Sequence, residues 1–425
     1  MRKSPVIAVL ALLMIPSLAF AGGGGEEPAP EGPVTVTLGY NAFLSSTFTD
    51  APAPIDAIRA ELARQYPDIV LEYETMAQDL LDTLIIWMTS QDTTVDIYGI
   101  DEPWVTQFGR AGWAVPLNEA LPGLDERFSE SGLETFSYEG DRLGVPFWGS
   151  VTGLYYRTDI LDEYGFEPPE TIDEMVQIIQ AVQAEDPEIS GFLWPGARDE
   201  DLVMYYSTLL HAFGGSYLNA DGSYAFDSEA SREALEFMRQ SIETGVSPQV
   251  VQNWQRTEAR QRFAGGNGIF LWDNNDLVIW LDDPEQSQIS GNWDLMPFPA
   301  QPDGEEVSIT GGFAFAVNPF SENQEAAMRV MEVISSEAVQ KGFALAWGPV
   351  QYFDGLYEDP EVQNFNPNVD RLIPLLERAT NRPPSESYAQ LSGMLQEELN
   401  AAVTGTRSID SVLASMAERA QALRD

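Results

Sequence analysis

The chain has one histidine, His211, and no cysteine in 425 residues, so histidine-dependent proton transfer is nearly excluded and a thiolate nucleophile is excluded outright. Carboxylates are the opposite case. With 67 Asp and Glu, some pair falls by chance at the roughly 5–9 Å separation that glycoside hydrolysis uses, so no pair reads as catalytic from sequence. Asp273, Asn274, Asn275 and Asp276 cluster oxygen donors as a calcium site would, but they lack the alternating acidic spacing and distal Glu of a calcium loop. No metal and no cofactor are expected. His211, in LLHAFGG, reads as helix-terminal structure. The larger resource is 10 Trp, 15 Tyr and 21 Phe. Aromatic planes beside carboxylates, amides and Arg can stack on C–H faces and hydrogen-bond hydroxyls. Trp87, at helical spacing with Leu84, and Trp113 read as packing residues.

Which of these side chains can meet a solute depends on the elements that carry them. Residues 34–40 (VTVTLGY) alternate as a half-buried strand does, 54–66 place apolar side chains at helical spacing, and 69–73 form a second strand. A helix over 80–88 and a short apolar strand over 95–100 complete an alternation of strand and helix that argues for an α/β sheet. Asn41 and Asp101 follow the first and third of these strands, and open α/β sheets gather ligands at the carboxyl ends of strands. Asp101 reads either as a ligand acceptor or as an N-cap for the segment starting near Pro103.

A second α/β block begins after Gly144-Val145-Pro146, with a strand through 153–156 and helices over 171–184, 201–213, 229–244 and 254–263. Thr171 and Glu174 have the spacing of a capping box. A buried strand follows over 268–272, then a strand over 308–318 in which Gly311 and Gly312 let the backbone turn or approach a ligand. Helices over 323–336, 338–347, 388–404 and 409–423 complete the chain.

The balance of 67 acidic to 22 basic residues gives a net charge of −45. Such a polyanion has no electrostatic route to nucleic acid and is repelled by anionic lipid, so a neutral or cationic partner is expected. Only Lys3 and Lys341 are lysine. That scarcity, with the acidity, resembles proteins kept soluble in concentrated salt and suggests a halophilic habitat. The 44% hydrophobic content supplies packed cores, and the length fits two domains. Met1-Arg2-Lys3, the apolar run 6–15 and Ala19-Phe20-Ala21 form a three-part signal peptide cleaved after Ala21. That run is too short to span a bilayer, which takes about 20 residues. Residues 22–33 read as a Gly/Pro/Glu-rich flexible linker. Without cysteine there is neither a disulfide nor an N-terminal lipid anchor, and an exported monomer is expected.

Six segments carry a family resemblance: IRAELARQYPDIVLEYE (58–74), DIYGIDEPWVTQFGRAGWAVPLNEAL (96–121), LGVPFWGSVTGLYYRTDILDEYGFEPPETIDEMV (143–176), FAGGNGIFLWDN (263–274), TGGFAFAVN (310–318) and NRPPSESYAQLSGMLQEELNAAVTG (381–405). In this order they resemble the extracellular solute-binding proteins of carbohydrate ABC transporters, family 1, which includes maltose- and trehalose-binding proteins. The resemblance implies an α/β, two-lobed periplasmic-binding-protein fold of the class II type, with hinged lobes around a ligand cleft. Lobe one would hold 34–144 plus 310–351, and lobe two 145–309 plus 352–425. The chain would cross between them near 143–146, 309–311 and 349–353. The function implied is non-enzymatic: capture of a di- or oligosaccharide in the periplasm or outside the cell, and delivery to ABC permease subunits by lobe closure. The alternatives are a secreted glycoside hydrolase, or the same fold holding a polyol, glycerophosphodiester or cationic osmolyte.

The resemblance also implies contacts. Asp101 would accept sugar hydroxyls, with Glu102 and Trp104 as neighbouring candidates. Trp148, in VPFWGS, would stack on the ligand, although Gly149, Ser150 and Thr152 stand where relatives often carry an acid, which leaves the donor pattern open. Tyr155 and Tyr156 alternate faces, so one of them is core and Tyr155 is taken as the contact. Many sugar binders carry Trp at the position of Asn274. Here Trp272 either substitutes for it or is buried, with Asp273 and Asn274 as polar candidates. Gly312 and Phe313 match a GGW or GGF element, in which Phe313 covers a sugar face or packs in the core. Arg382, before Pro383, donates a forked pair to hydroxyls or forms a surface ion pair. Trp347, in AWGP, lies close enough to a crossing to reach the cleft.

Overall fold

The computed structural model describes residues 32–47, 51–76, 80–279, 281–348, 352–383 and 385–423. The expected signal peptide, most of the linker and part of the crossing near 349–353 lie outside the described residues. The strands are β1 (Val34–Tyr40), β2 (Ile69–Thr75), β3 (Ile97–Asp101), β4 (Ser137–Tyr138), β5 (Asp141–Arg142), β6 (Val145–Arg157), β7 (Phe192–Leu193), β8 (Phe270–Asn274), β9 (Trp293–Met296), β10 (Ser308–Val317) and β11 (Ala379–Thr380). All but the β4–β5 hairpin join one curled sheet in the order β2-β1-β3-β10-β6-β8-β7, with β9 on β6 and β11 on β10. β1 runs parallel to β2 and β3, while β10 is antiparallel to both β3 and β6.

Helix periodicity holds along the chain. Pro54–Gln65 buries Ile55, Ile58 and Leu62 on one face, and Pro54 occupies the first turn, where its missing N–H costs nothing. The helix Ile172–Glu185 starts at Thr171, whose hydroxyl accepts from the Glu174 amide at 3.2 Å. The return half of the expected capping box shifts by one residue. Glu174 Oε2 accepts from the Glu170 amide at 2.8 Å rather than from that of Thr171.

Apolar side chains gather into separate cores. One contains Val36, Leu38, Ile97, Ile100, Val145, Phe147, Phe315, Val330 and Phe343. Another contains Leu154, Phe192, Trp194, Leu202, Tyr205, Ile309, Leu391 and Leu413, and a smaller one contains Val151, Tyr155, Phe263, Leu277 and Leu375. β6 therefore starts in the first core and ends in the other two, while β10 gives Ile309 to the second and residues 314–317 to the first. These two long antiparallel strands are the spine that holds two α/β lobes together. Phe315 stacks on Phe147 with centroids 4.0 Å apart where the strands enter the first core. Phe353, Leu356 and Val362 also pack in that core.

Candidate functional site

Strand register builds the floor of the site. Phe313 of β10 pairs with Asp101 of β3 on one side and with Trp148 of β6 on the other, so the three lie abreast across neighbouring strands. Two residues along, Gly311 pairs with Ser150. Alternation of strand side chains puts Trp148, Ser150, Gly311 and Phe313 on one face. These residues open onto a cleft of about 800 Å³, walled also by Tyr40, Asn41, Phe43, Met76, Glu200, Asp201, Met204, Arg256, Asn274, Gly312 and Arg382.

One wall is aromatic. Trp148 stands edge-on to Phe43, with centroids 5.0 Å apart, and Phe43 in turn stacks on Trp347 at 4.3 Å. Phe43 reaches this position because Asn41 starts a single 3₁₀ turn, its Oδ1 accepting from the Phe43 amide at 3.0 Å. Asn41 is thus both cap and cleft residue.

The other wall is charged and internally paired. Arg382 is 7% exposed. Its Nη2 donates to Asp101 Oδ1 at 2.6 Å, and its Nη1 to Glu200 Oε1 at 3.4 Å. Glu200 also accepts from the hydroxyls of Tyr388 and Ser392. Burial pushes the Asp101, Glu102 and Glu200 carboxyls up from their ordinary values despite Arg382, which pulls each of them down, and Glu102 is pushed up to about 7. Burial would lower the Arg382 guanidinium, but Asp101 and its other neighbours hold it well above its ordinary value. A second pair, Arg256 and Asp201, borders the cleft beside Glu200. Among the described residues, the buried atoms Arg382 Nε and Asn274 Oδ1 have no hydrogen-bond partner.

Of the residues expected at the site, the structure brings Asn41, Asp101, Trp148, Asn274, Gly312, Phe313 and Arg382 to the cleft. Asp101 makes no side-chain cap bond to the turn after it; its carboxylate turns to Arg382 instead. Arg382 is in a buried ion-pair network rather than a surface pair. The remaining six are placed elsewhere. Glu102 lies behind Arg382. Trp104 stacks loosely on Phe108 at 6.5 Å. Trp272 shares a face with Asn274 but lies two residues deeper, about 7 Å along the strand, where its indole donates to Thr208 Oγ1 of the helix covering it. Asp273 points the other way, into a forked pair with Arg260 at 2.7 and 2.8 Å. Tyr155 is core and donates to the Asn274 carbonyl at 2.8 Å. Trp347 backs Phe43, its indole donating to the Ser46 carbonyl at 3.1 Å.

Trp87 and Trp113 pack against the first core, and His211 sits in the last helical turn, edge-on to Tyr217. Among the described residues, no group of three or more His, Cys, Asp or Glu is arranged to hold a metal ion. Phe43, Glu200, Asp201 and Arg256 were not found from sequence. A signal for two of them exists in the three consecutive acids Asp199, Glu200 and Asp201, which open an apolar helix.

Two α/β lobes on a two-strand spine, with a cleft of aromatic and hydrogen-bonding side chains, define a two-lobed solute-binding protein. Residues 45–341 match the family model described as bacterial extracellular solute-binding protein, and the chain belongs to that family. The family and its similar structures are binding proteins rather than enzymes, and they work in the periplasm or outside the cell. The chain is similar to the maltose-bound MalE3 of T. maritima, with 25% identity and a TM-score of 0.80 over 92% of this chain and 100% of that one. The ribitol complex of a solute-binding protein from Agrobacterium radiobacter K84 shares the fold at 19% identity, with a TM-score of 0.79 over 93% of this chain and 100% of that one. By sequence, the maltotriose-binding protein of Pyrococcus abyssi is 23% identical over 82% of this chain and 75% of that protein. Among the described residues no helix is long and apolar enough to cross a membrane.

Proposed function

We propose that this protein captures a di- or oligosaccharide between its lobes and delivers it to the permease subunits of an ABC importer. The observation that carries this reading is the pairing of opposed surfaces in one cleft. Phe43, Trp148 and Phe313 offer ring faces, while Asp101, Glu200, Asn274 and Arg382 offer hydrogen-bonding edges, and a pyranose ring needs both. Similarity to maltose- and maltotriose-binding proteins supports the same class.

The lobes divide as 34–144 plus 310–351 and 145–309 plus 352–425, except that Phe353, Leu356 and Val362 pack in the core of the first. Contacts made by both to one solute favour the closed form, which the permease recognises. The protein acts as a monomer, is exported by a signal peptide cleaved after Ala21, and is adapted to saline surroundings by its acidity. It is a receptor and not a glycosidase. Asp101 and Glu200 are both committed to Arg382, and Asp201 to Arg256, so these carboxylates serve as fixed acceptors rather than as an acid and base poised around a bond.

A thermal-shift screen over mono-, di- and trisaccharides, polyols and glycine betaine tests this, because a bound solute stabilises by mass action. A shift with di- or trisaccharides is expected. A shift with ribitol, mannitol or betaine and none with any sugar overturns the assignment, as does turnover of a chromogenic glycoside.

A further inference from the structure

Glu102 is a carboxylate beside the cleft that no solute reaches. It is 6% exposed at the end of β3, and both of its oxygens are engaged. Oε1 accepts from the backbone amide of Arg382 at 3.2 Å, and Oε2 accepts from Thr310 Oγ1 at 3.1 Å, with the Arg382 Nη2 3.7 Å from Oε2. Thr310 belongs to β10, one of the two spine strands, and its hydroxyl also faces Asn381 Oδ1 at 2.8 Å. One side chain therefore ties the end of a first-lobe strand, a crossing strand and the segment that presents Arg382 to the cleft.

We propose that Glu102 is a positioning residue for solute recognition, holding Arg382 in place against the crossing strand β10 through its carboxylate. The inference rests on the cleft being the solute site. All three donors around Glu102 are used by the ionised form. When the carboxyl takes up a proton, its charge-assisted hold on Arg382 is lost, and it can instead donate to Thr310 Oγ1, which then donates to Asn381. The charged and titratable groups that face it are Arg382 and Asp101 at the cleft, Tyr217 from the second lobe, and Tyr352 from behind the spine. Burial brings its carboxyl to about 7, so both forms are accessible near neutrality.

Stability and recognition then pull in opposite directions. A folded-state value above the ordinary 4.5 means that the stability linked to Glu102 is present below 4.5 and lost as pH rises through about 7. The hold on Arg382 is gained over the same rise. Glu102→Gln keeps the shape and removes the buried charge. At pH 8 it is expected to raise the thermal midpoint of the solute-free protein while weakening maltotriose binding about tenfold, the loss of one charge-assisted hydrogen bond. Wild type and variant converge in affinity at pH 5.5. A purely structural role would lower midpoint and affinity together, and that result overturns the proposal, as does unchanged affinity at pH 8. Hydrogen–deuterium exchange at the Arg382 amide in solute-free protein tests the tie independently. Glu102→Ala is expected to speed that exchange at least about tenfold, and unchanged exchange overturns the proposal. If wild type binds no sugar, the sugar assignment falls and the amide exchange alone decides whether Glu102 positions Arg382.

Discussion

Replacing Arg382 with methionine keeps most of the aliphatic stem and removes the guanidinium from the point where three carboxylates converge. Asp101 lies 2.6 Å away, Glu200 3.4 Å and Glu102 3.7 Å. Arg382 is 7% exposed, so water does not replace the lost charge. Removing one partner of a buried ion pair costs about 3–5 kcal/mol, because the other charge stays buried and uncompensated. Burial already raises all three carboxyls against the pull of Arg382, and without it they rise further. The sign follows from linkage. Carboxyls raised in the folded state destabilise it increasingly as pH climbs from their ordinary values, 3.8 for Asp and 4.5 for Glu, through about 7 for Glu102. Below the ordinary values they are protonated in both states and the penalty vanishes. At about 2–4 °C per kcal/mol, the solute-free Met variant is expected to melt roughly 10 °C below wild type at pH 8, and close to wild type near pH 3.5. Differential scanning calorimetry across that range measures the difference. Arg382→Lys, which keeps the charge but loses the fork, is expected to fall between. An equal deficit at both ends of the range would mean that Arg382 contributes packing rather than charge compensation, and the electrostatic account of this wall would be wrong.

Trp148→Ala, by isothermal titration with the best sugar from the screen, is expected to cost about 2 kcal/mol or more of affinity, roughly 30-fold, as an aromatic anchor does. Its circular dichroism should match wild type, because the ring is half-buried at the cleft, and retained affinity would remove Trp148 from the binding wall. Raising sodium chloride from 0.1 to 2 M should raise the melting temperature, since screening relieves self-repulsion in a chain of charge −45; a falling midpoint would refute adaptation to salt.

The elements were legible because burial writes a period into sequence. The helix expected over 409–423 forms as Ile409–Ala422, and the strand expected over 308–318 forms as Ser308–Val317. The site was legible where position along a strand decides access, as for Asn41, Asp101 and Asn274, which follow or finish strands. Trp148 and Phe313 came instead through the family resemblance, and register explains why they belong together, since both pair across β10 and β6 at the same level as Asp101.

Depth is what a one-dimensional pattern does not carry. Trp272 and Asn274 share a face of β8, yet the helix Glu200–Ala212 lies over Trp272 through Thr208 and leaves Asn274 at the edge. The N-terminus of that same helix places Glu200 and Asp201 in the cleft. One packing event thus buries Trp272, which the sequence left open as either a contact or core, and brings to the cleft two acids of the helix's first turn, where the helix dipole also favours them. Asp273, Glu102 and Trp347 share a second logic. Each stands directly behind a cleft residue, Asp273 within 3.6 Å of Arg256, Glu102 bonded to Arg382 and Trp347 stacked on Phe43. Asp273 beside Asn274 and Glu102 beside Asp101 show that sequence proximity to a cleft residue does not separate the cleft from what lies behind it. In two of these pairs the difference shows in the polar atoms: both oxygens of Asp273 and of Glu102 are engaged inside the protein, whereas among the described residues the buried Asn274 Oδ1 and Arg382 Nε have no hydrogen-bond partner.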